Sequence, residues 1–278
     1  MSSETLSNAF ELPANEGDCE AAGRELDRAR AAFDAVIASD PRLFLRPKES
    51  RQRRTDIEFI PRYAQGKLEE GSRYALGGLT KRLLDIATAS TALVLLAPLM
   101  LTVMLLIYVT MGRPIFFSQR RIGFDGVSFP CFKFRTMVSN AEAALGQYLE
   151  QNPDAASEWH ARQKLRRDPR ITALGRLLRQ SSIDELPQLI SVLQGNMSCV
   201  GPRPIVEQEI GRYGHYWKDY VRARPGLTGA WQVSGRNRIG YQKRICLDRW
   251  YVRRWSFWLD LWLLARTVPA VMQFDDTT

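Results

Sequence analysis

Apolar positions recur along this chain in several distinct rhythms, and each predicts a different element. Between residues 19 and 38, Ala22, Leu26, Ala29, Phe33 and Val36 follow one another at alternating steps of four and three, the spacing of one helix face. The stripe predicts a helix over about 19–38, able to dock on the same chain or on a second copy. From Asp40 to Gly78, prolines, glycines and charges mix without a sustained period, and a linker ordered only on contact is expected there.

The pattern then turns wholly apolar. Between Asp85 and Arg113 lie 27 residues without a charge, more than the roughly 20 a helix needs to cross a bilayer. Membrane association follows. Pro98 leaves two halves of about 13 residues, each about 20 Å long at the helical rise. Lys81 and Arg82 precede the segment, and Arg113, Arg120 and Arg121 follow it. Basic residues favour the cytoplasmic side, so two basic flanks fit a helix that enters, breaks and returns. Spanning helices also tolerate proline, and the residues by themselves leave re-entry and crossing open.

Beyond it, Ile115 to Thr136 alternates in short β-like runs around a turn at Gly123 to Gly126. Ala141 to Gln163 reads as helical with a break near Asn152-Pro153, and Leu174 to Gln180 as a short helix. No period of 20 to 50 residues recurs, which excludes a repeat architecture. At the C-terminal end Trp250, Tyr251, Trp255, Phe257, Trp258 and Trp262 interleave with Arg249, Arg253, Arg254 and Arg266. Rings and cations together favour the lipid headgroup region, predicting an interfacial helix, with an ordinary core helix as the alternative.

Composition narrows the chemistry. At 278 residues and 45% apolar content the chain can build a core, and its first 80 residues hold no apolar run of the kind a secretory signal needs. Cys19, Cys131, Cys199 and Cys246 form no Cys-x-x-Cys pair, so reduced thiols on the cytosolic side are expected. His160 and His215 stand in no ligand spacing, leaving carboxylates, lysine and arginine to carry the chemistry. Residues 1–80 hold 12 Lys and Arg against 14 Asp and Glu, whereas residues 81–278 hold 27 against 16. An anionic partner is therefore expected on the second part.

In that basic part stand two adjacent acids, Asp184 and Glu185, in Ser181-Ser182-Ile183-Asp184-Glu185-Leu186-Pro187-Gln188-Leu189. Pro187 fits a first helical turn, which puts Asp184 at an N-cap and Glu185 at the first helical position. Acids there are common capping residues. The same place suits a carboxylate nucleophile toward phosphorus and a neighbour that holds Mg²⁺ with substrate phosphate oxygens. Arg179 lies upstream, Arg203 sits in Gly201-Pro202-Arg203-Pro204, and Lys133 and Arg135 lie in Lys133-Phe134-Arg135-Thr136-Met137. Arg224-Pro225-Gly226-Leu227-Thr228-Gly229 and Gly235-Arg236-Asn237 add glycine-rich basic stretches that match no Walker or Rossmann spacing. Arginine binds phosphate bidentately and offsets charge between an anionic nucleophile and an anionic substrate.

The ordered set of Lys81-Arg82-x-x-Asp85, the apolar segment with Pro98, and the motifs around Lys133, Asp184, Arg203 and Arg224 resembles the bacterial sugar transferase family, the monotopic polyprenyl-phosphate phosphoglycosyl transferases. The likeness covers about residues 78–272. It implies that Asp184 attacks the β-phosphate of a UDP-sugar, releasing UMP, and that polyprenyl phosphate then takes the phosphosugar from the aspartyl intermediate. It implies Glu185 as the Mg²⁺ ligand, Arg203 as a phosphate-binding arginine, and Lys133, Arg179 and Arg236 as basic positions around the site. Arg135 and Arg224 are expected to contact substrate with them. The resemblance also implies that the apolar segment re-enters. Where the family commonly has Ser-Pro at the break, this chain has Ala97-Pro98, so Thr88, Thr91, Thr102 or water must serve the backbone freed there.

The expectation is an α/β, mostly helical, membrane-associated fold with an N-terminal re-entrant helix-break-helix and interfacial amphipathic helices. It divides into an extension over 1–77, the membrane helix over 78–112 and a catalytic domain over 113–274 on the cytoplasmic face of a bacterial inner membrane. The expected partners are UDP-galactose or UDP-glucose, polyprenyl phosphate, membrane lipid and a second copy through the N-terminal stripe, with no nucleic acid. The alternative from another class is a non-catalytic scaffold recruiting anionic lipid or a polyphosphate partner.

Overall fold

A computed structural model describes residues 16–38, 75–162, 165, 167–235 and 239–272. Most of the expected linker, and Arg236, lie outside the described residues. The elements run α1 (Glu16–Ala38), α2 (Gly78–Met111), β1 (Phe116–Ile122), β2 (Ser128–Phe134), α3 (Ala141–Gln151), α4 (Pro153–Arg162), α5 (Ala173–Gln180) and α6 (Gln188–Gln194). They continue with β3 (Ser198–Val200), the single turns α7 (Ile210–Tyr213) and α8 (Trp217–Tyr220), β4 (Gly226–Thr228), the turn α9 (Ala230–Val233), α10 (Tyr241–Arg254) and α11 (Phe257–Met272). The mostly helical architecture, the β1–β2 hairpin around Gly123 to Gly126 and the break after Gln151 agree with the sequence patterns.

The membrane helix does not divide at its proline. α2 runs unbroken over 34 residues with Pro98 inside, roughly 50 Å at the helical rise. Among the described residues it is the one helix long and apolar enough to cross a membrane. Pro98 leaves the Val94 carbonyl without its intrahelical donor. Thr102 donates to the Pro98 carbonyl at 2.9 Å, so it does not serve the freed group. Leu83, Val94, Leu95, Leu101, Leu105 and Val109 project outward and exposed, a surface made for lipid rather than water.

Both ends of α2 are fixed to the same globular body. At the start, Lys81 donates to Asp260 at 2.6 Å and to Tyr251 at 2.9 Å, while Asp85 accepts from the Ser198 hydroxyl at 2.8 Å and the Cys199 amide at 2.9 Å. Four residues apart, Lys81 and Asp85 lie on one helix face. Near the other end Met100, Val103 and Ile107 pack with Phe134 and Leu178. Arg135 caps the terminus by donating to the Met111 carbonyl and, at 2.9 Å, to the Gly112 carbonyl, acceptors that a helix end leaves open.

Two expectations are corrected here. Cys19 and Cys246 form a disulfide joining α1 to α10, so only Cys131 and Cys199 are free thiols, both buried. Sequence spacing missed the pair because its members are 227 positions apart and meet only when α1 folds back. α1 thus docks on its own chain, with Ala22 and Leu26 in the core; the side chains of Phe33 and Val36 are outside the described set. The aromatic C-terminal segment also divides, into α10 and α11, and part of its expected interfacial stripe is core. It breaks at Trp255-Ser256, and Trp250, Tyr251 and Trp262 are core residues, leaving Trp258 partly exposed.

Candidate active site

The acids stand on a tight turn, not at a helix start. Ile183–Glu185 forms a single 3-10 turn, and α6 begins only at Gln188 behind Pro187. The N-cap expectation for Asp184 is therefore corrected. The turn is entered through Ser182, whose φ of 56° is left-handed, a conformation costly for a residue with a Cβ and concentrated at functional sites. Gly175 lets α5 lie close against Thr136, because a Cβ there would collide with the Thr136 backbone. With that close approach, Arg179 at the end of α5 donates to the Thr136 hydroxyl at 2.9 Å.

Lys133 on β2 reaches the turn from the other side. It donates to Glu185 Oε1 at 2.6 Å, leaving Oε2 outside that bond. Burial opposes the lysine's charge, but Glu185 and then Asp184 overcome it and raise its pKa. Asp184 is the buried member of the pair, 7% exposed. Burial, then the Glu185 charge, pushes its carboxyl up to about 6, against the pull of Lys133 and Arg179. A carboxylate that is desolvated, charged near neutrality and faced by two cations can act as a nucleophile.

Arg203 belongs to an adjoining cluster at the far end of the hairpin. The Gly201-Pro202-Arg203-Pro204 turn lies against Arg224-Pro225-Gly226 so closely that a Cβ on Gly226 would strike Gly201. The contact is sealed by Gly226 N–H to Pro202 O at 2.8 Å and Gly201 N–H to Thr228 O at 2.9 Å. Arg121 of β1 donates to the Pro204 carbonyl at 3.1 Å, and Ile122 bridges to Ile205. The hairpin thus joins the two clusters, Lys133 facing the acids and Arg121 facing the Arg203 turn.

Two expected substrate arginines are engaged elsewhere. Arg135 caps α2, as described above. Arg224 donates to the Gly195 carbonyl at 2.7 Å, beside Arg82, which donates to the Leu193 carbonyl at 2.7 Å; both close the C-terminal end of α6. Ala97 and Pro98 lie within α2, far along the chain from any of these groups. Asp168 belongs to none of the sequence motifs. It holds Arg170 through Nε at 2.9 Å and Nη2 at 2.6 Å and acts electrostatically on Arg179. Its one sequence signal is the Asp-x-Arg spacing.

Among the described residues no group of three or more His, Cys, Asp or Glu gathers as a closed metal site. Two adjacent carboxylates still fit Mg²⁺, which commonly takes one or two protein carboxylates and completes its shell with water and phosphate oxygens. A cleft of about 670 Å³ lies away from these acids, between α1 and α10. Its arginines are paired, Arg254 with Asp27 at 3.2 Å and Arg24 with Glu20 at 3.5 Å inside the cleft, and Arg249 and Arg253 with Asp219 outside it.

A buried acid beside a lysine-paired acid, carried by a body that holds a long apolar helix, fits a membrane-associated enzyme. The comparisons agree: residues 76–274 match the family model described as bacterial sugar transferase, and the chain belongs to that family. The exopolysaccharide production protein ExoY of Rhizobium meliloti (strain 1021) is 47% identical over 203 residues, covering 73% of this chain and 90% of that protein. The undecaprenyl-phosphate galactose phosphotransferase of Salmonella typhimurium is 46% identical over 70% of this chain but only 41% of its own length. The UDP-glucose:undecaprenyl-phosphate glucose-1-phosphate transferase of Caulobacter vibrioides is 40% identical over 71% of this chain and 72% of its own.

Proposed function

We propose that this protein transfers a hexose 1-phosphate from a UDP-sugar to undecaprenyl phosphate, releasing UMP, as the first membrane step of exopolysaccharide synthesis. The observation that carries the reading is the turn that buries Asp184 beside the Lys133–Glu185 pair. An Asp184 carboxylate oxygen attacks the β-phosphorus. The bond from that phosphorus to the bridging oxygen breaks, and UMP leaves with the electron pair. The polyprenyl phosphate oxygen then attacks the same phosphorus and restores the Asp184 carboxylate. By holding Glu185, Lys133 keeps the second acid off the nucleophile's path, while Arg179 offsets charge as the anions meet. Glu185 would hold Mg²⁺, which would supply neutralisation of phosphate oxygens when bound.

The same reading includes re-entry of α2 through a bend of the continuous helix at Pro98, with both its ends on the cytoplasmic face. Its support is the attachment of Lys81 and of Gly112 to one body, together with the basic flanks. Labelling of Leu79→Cys and Arg113→Cys from the same side of the membrane is expected; opposite-side labelling would contradict re-entry.

The decisive assay is UMP release from a panel of UDP-sugars, led by UDP-galactose and UDP-glucose, with polyprenyl phosphate and Mg²⁺. One donor is expected to turn over in the wild type and not in Asp184→Asn. Silence across the panel would favour the scaffold alternative.

A further inference from the structure

We propose that the Cys19–Cys246 disulfide is a reversible latch, opened by a small thiol of the glutathione class, that releases α1 from the body of the protein. The assignment takes its source of thiols from the proposed cytoplasmic face and needs nothing of the chemistry at Asp184. In a reducing compartment a disulfide is usually transient, catalytic or redox-sensing.

Apart from that bond, α1 is held lightly. It lies outside residues 76–274, the part matched by the family, and the disulfide ties it covalently to α10. The face it lays on α10 is built of small residues, Ala22, Gly23 and Ala29, with Leu26 the large side chain among them. Gly23 passes so close to Trp250 that a Cβ there would lie 2.7 Å from the indole Cδ1. Glu25 pairs with Lys243 at 3.2 Å and Asp27 with Arg254 at 3.2 Å, each through at least one well-exposed side chain. Exposed pairs of this kind contribute little. Arg30 donates to the Ser256 hydroxyl at 3.2 Å.

The disulfide stands where a thiol can reach it. Both cysteines line the cleft of about 670 Å³ between α1 and α10, a size that admits a small molecule. Arg24, Arg249, Arg253 and Arg254 line it against Glu20 and Asp27. Even with Asp219, which pairs Arg249 and Arg253 from outside, the set keeps a net positive charge. Cationic surroundings favour thiolates, and so favour both attack on a disulfide and departure from it.

The exchange balances within the thiols themselves. A thiolate attacks Cys19 Sγ, on the more exposed of the two residues (8% against 1%); a mixed disulfide forms, the Cys19–Cys246 bond breaks, and Cys246 departs as a thiolate. A second thiol attacks the reagent sulfur of the mixed disulfide and frees Cys19, so two reagent thiols become one disulfide and their protons pass to the two cysteines. The loop closed between residues 19 and 246 then opens, and the unfavourable freedom that the bond had removed from α1 returns. α10 is also the helix whose Asp248 accepts from the Arg203 amide at 3.3 Å, so the latch closes on an element that supports the candidate site.

Full-length protein in lipid nanodiscs is equilibrated in mixtures of reduced and oxidised glutathione. Each sample is divided between acid-quenched mapping of the Cys19–Cys246 linked peptide and hydrogen exchange of the α1 and α6 amides. The linked peptide is expected in oxidised glutathione and lost in reduced glutathione. In step with its loss, α1 exchange is expected to rise at least about tenfold, while α6 stays within twofold and reports an intact body. Cys19→Ser is expected to exchange as reduced wild type does in every mixture. The latch is overturned if the linked peptide never forms, if it survives reduced glutathione in the folded protein, if it is lost with α1 exchange within twofold of the oxidised form, or if α1 and α6 loosen together. Neither measurement needs turnover, so the outcome is independent of the transfer reaction.

Discussion

Lys81, in the first turns of the membrane helix, and Asp260, in α11, meet at 2.6 Å with both side chains almost wholly shielded from solvent. Asp260 also accepts from the Tyr251 hydroxyl at 2.7 Å and the Trp255 indole at 3.1 Å, so the buried carboxylate has partners beyond Lys81. Removing one partner strands the other charge. Lys81→Met is expected to cost ~3–5 kcal/mol of stability. The double variant Lys81→Met/Asp260→Leu should recover much of that loss, measured by denaturant unfolding in detergent. A single-variant cost below ~1 kcal/mol would contradict a structural role for the pair.

Arg135 is expected to matter for stability rather than for substrate. Its removal uncaps the Met111 and Gly112 carbonyls, so Arg135→Ala should lose about 2 kcal/mol with KM for the UDP-sugar within twofold. A large rise in KM at unchanged melting temperature would return Arg135 to the substrate.

The covalent tie between α1 and α10 is checked by mapping unreduced, alkylated peptides. A Cys19–Cys246 linked peptide is expected, with Cys131 and Cys199 modified only after unfolding. Cys19→Ser should then lower stability under oxidising conditions by ~2–4 kcal/mol. Full alkylation of all four cysteines in the native protein would contradict the pairing.

The titration of Asp184 gives a prediction with a definite sign. Its carboxyl is pushed up to about 6 by burial and then by Glu185, and a nucleophile must be ionised. The acid limb of kcat/KM should fall about tenfold per pH unit below that value. Because the folded state holds this proton more tightly than the unfolded chain, the group's contribution to stability decreases as pH rises from about 4 to about 6. Asp184→Asn removes that slope. An acid limb unchanged in Glu185→Gln would show that the neighbouring charge does not set the pKa.

Local patterns carried much of this from the sequence. The α1 stripe, the hairpin, the α3–α4 break and the apolar helix all follow from spacing that a few neighbouring residues satisfy. What stayed hidden depended on long-range meeting. Cys19 and Cys246, and Lys81 and Asp260, acquire their relationships only after α10 and α11 fold onto the rest. The aromatic C-terminal run was ambiguous for a related reason, since the same rings serve a membrane surface or a core, and only packing decides. For the acids, Pro187 marked a helix start correctly, but Ser182's left-handed turn moved Asp184 ahead of it.

The central claim is covalent chemistry at Asp184, and peptide mass spectrometry tests it most directly. Wild-type protein is incubated with Mg²⁺ and the accepted UDP-sugar, without polyprenyl phosphate, quenched, and digested. A hexose-phosphate adduct on the peptide containing Asp184, formed with matching UMP and discharged by added polyprenyl phosphate, is the expected result. UMP release that requires the acceptor from the start, with no adduct at any time, would contradict the account.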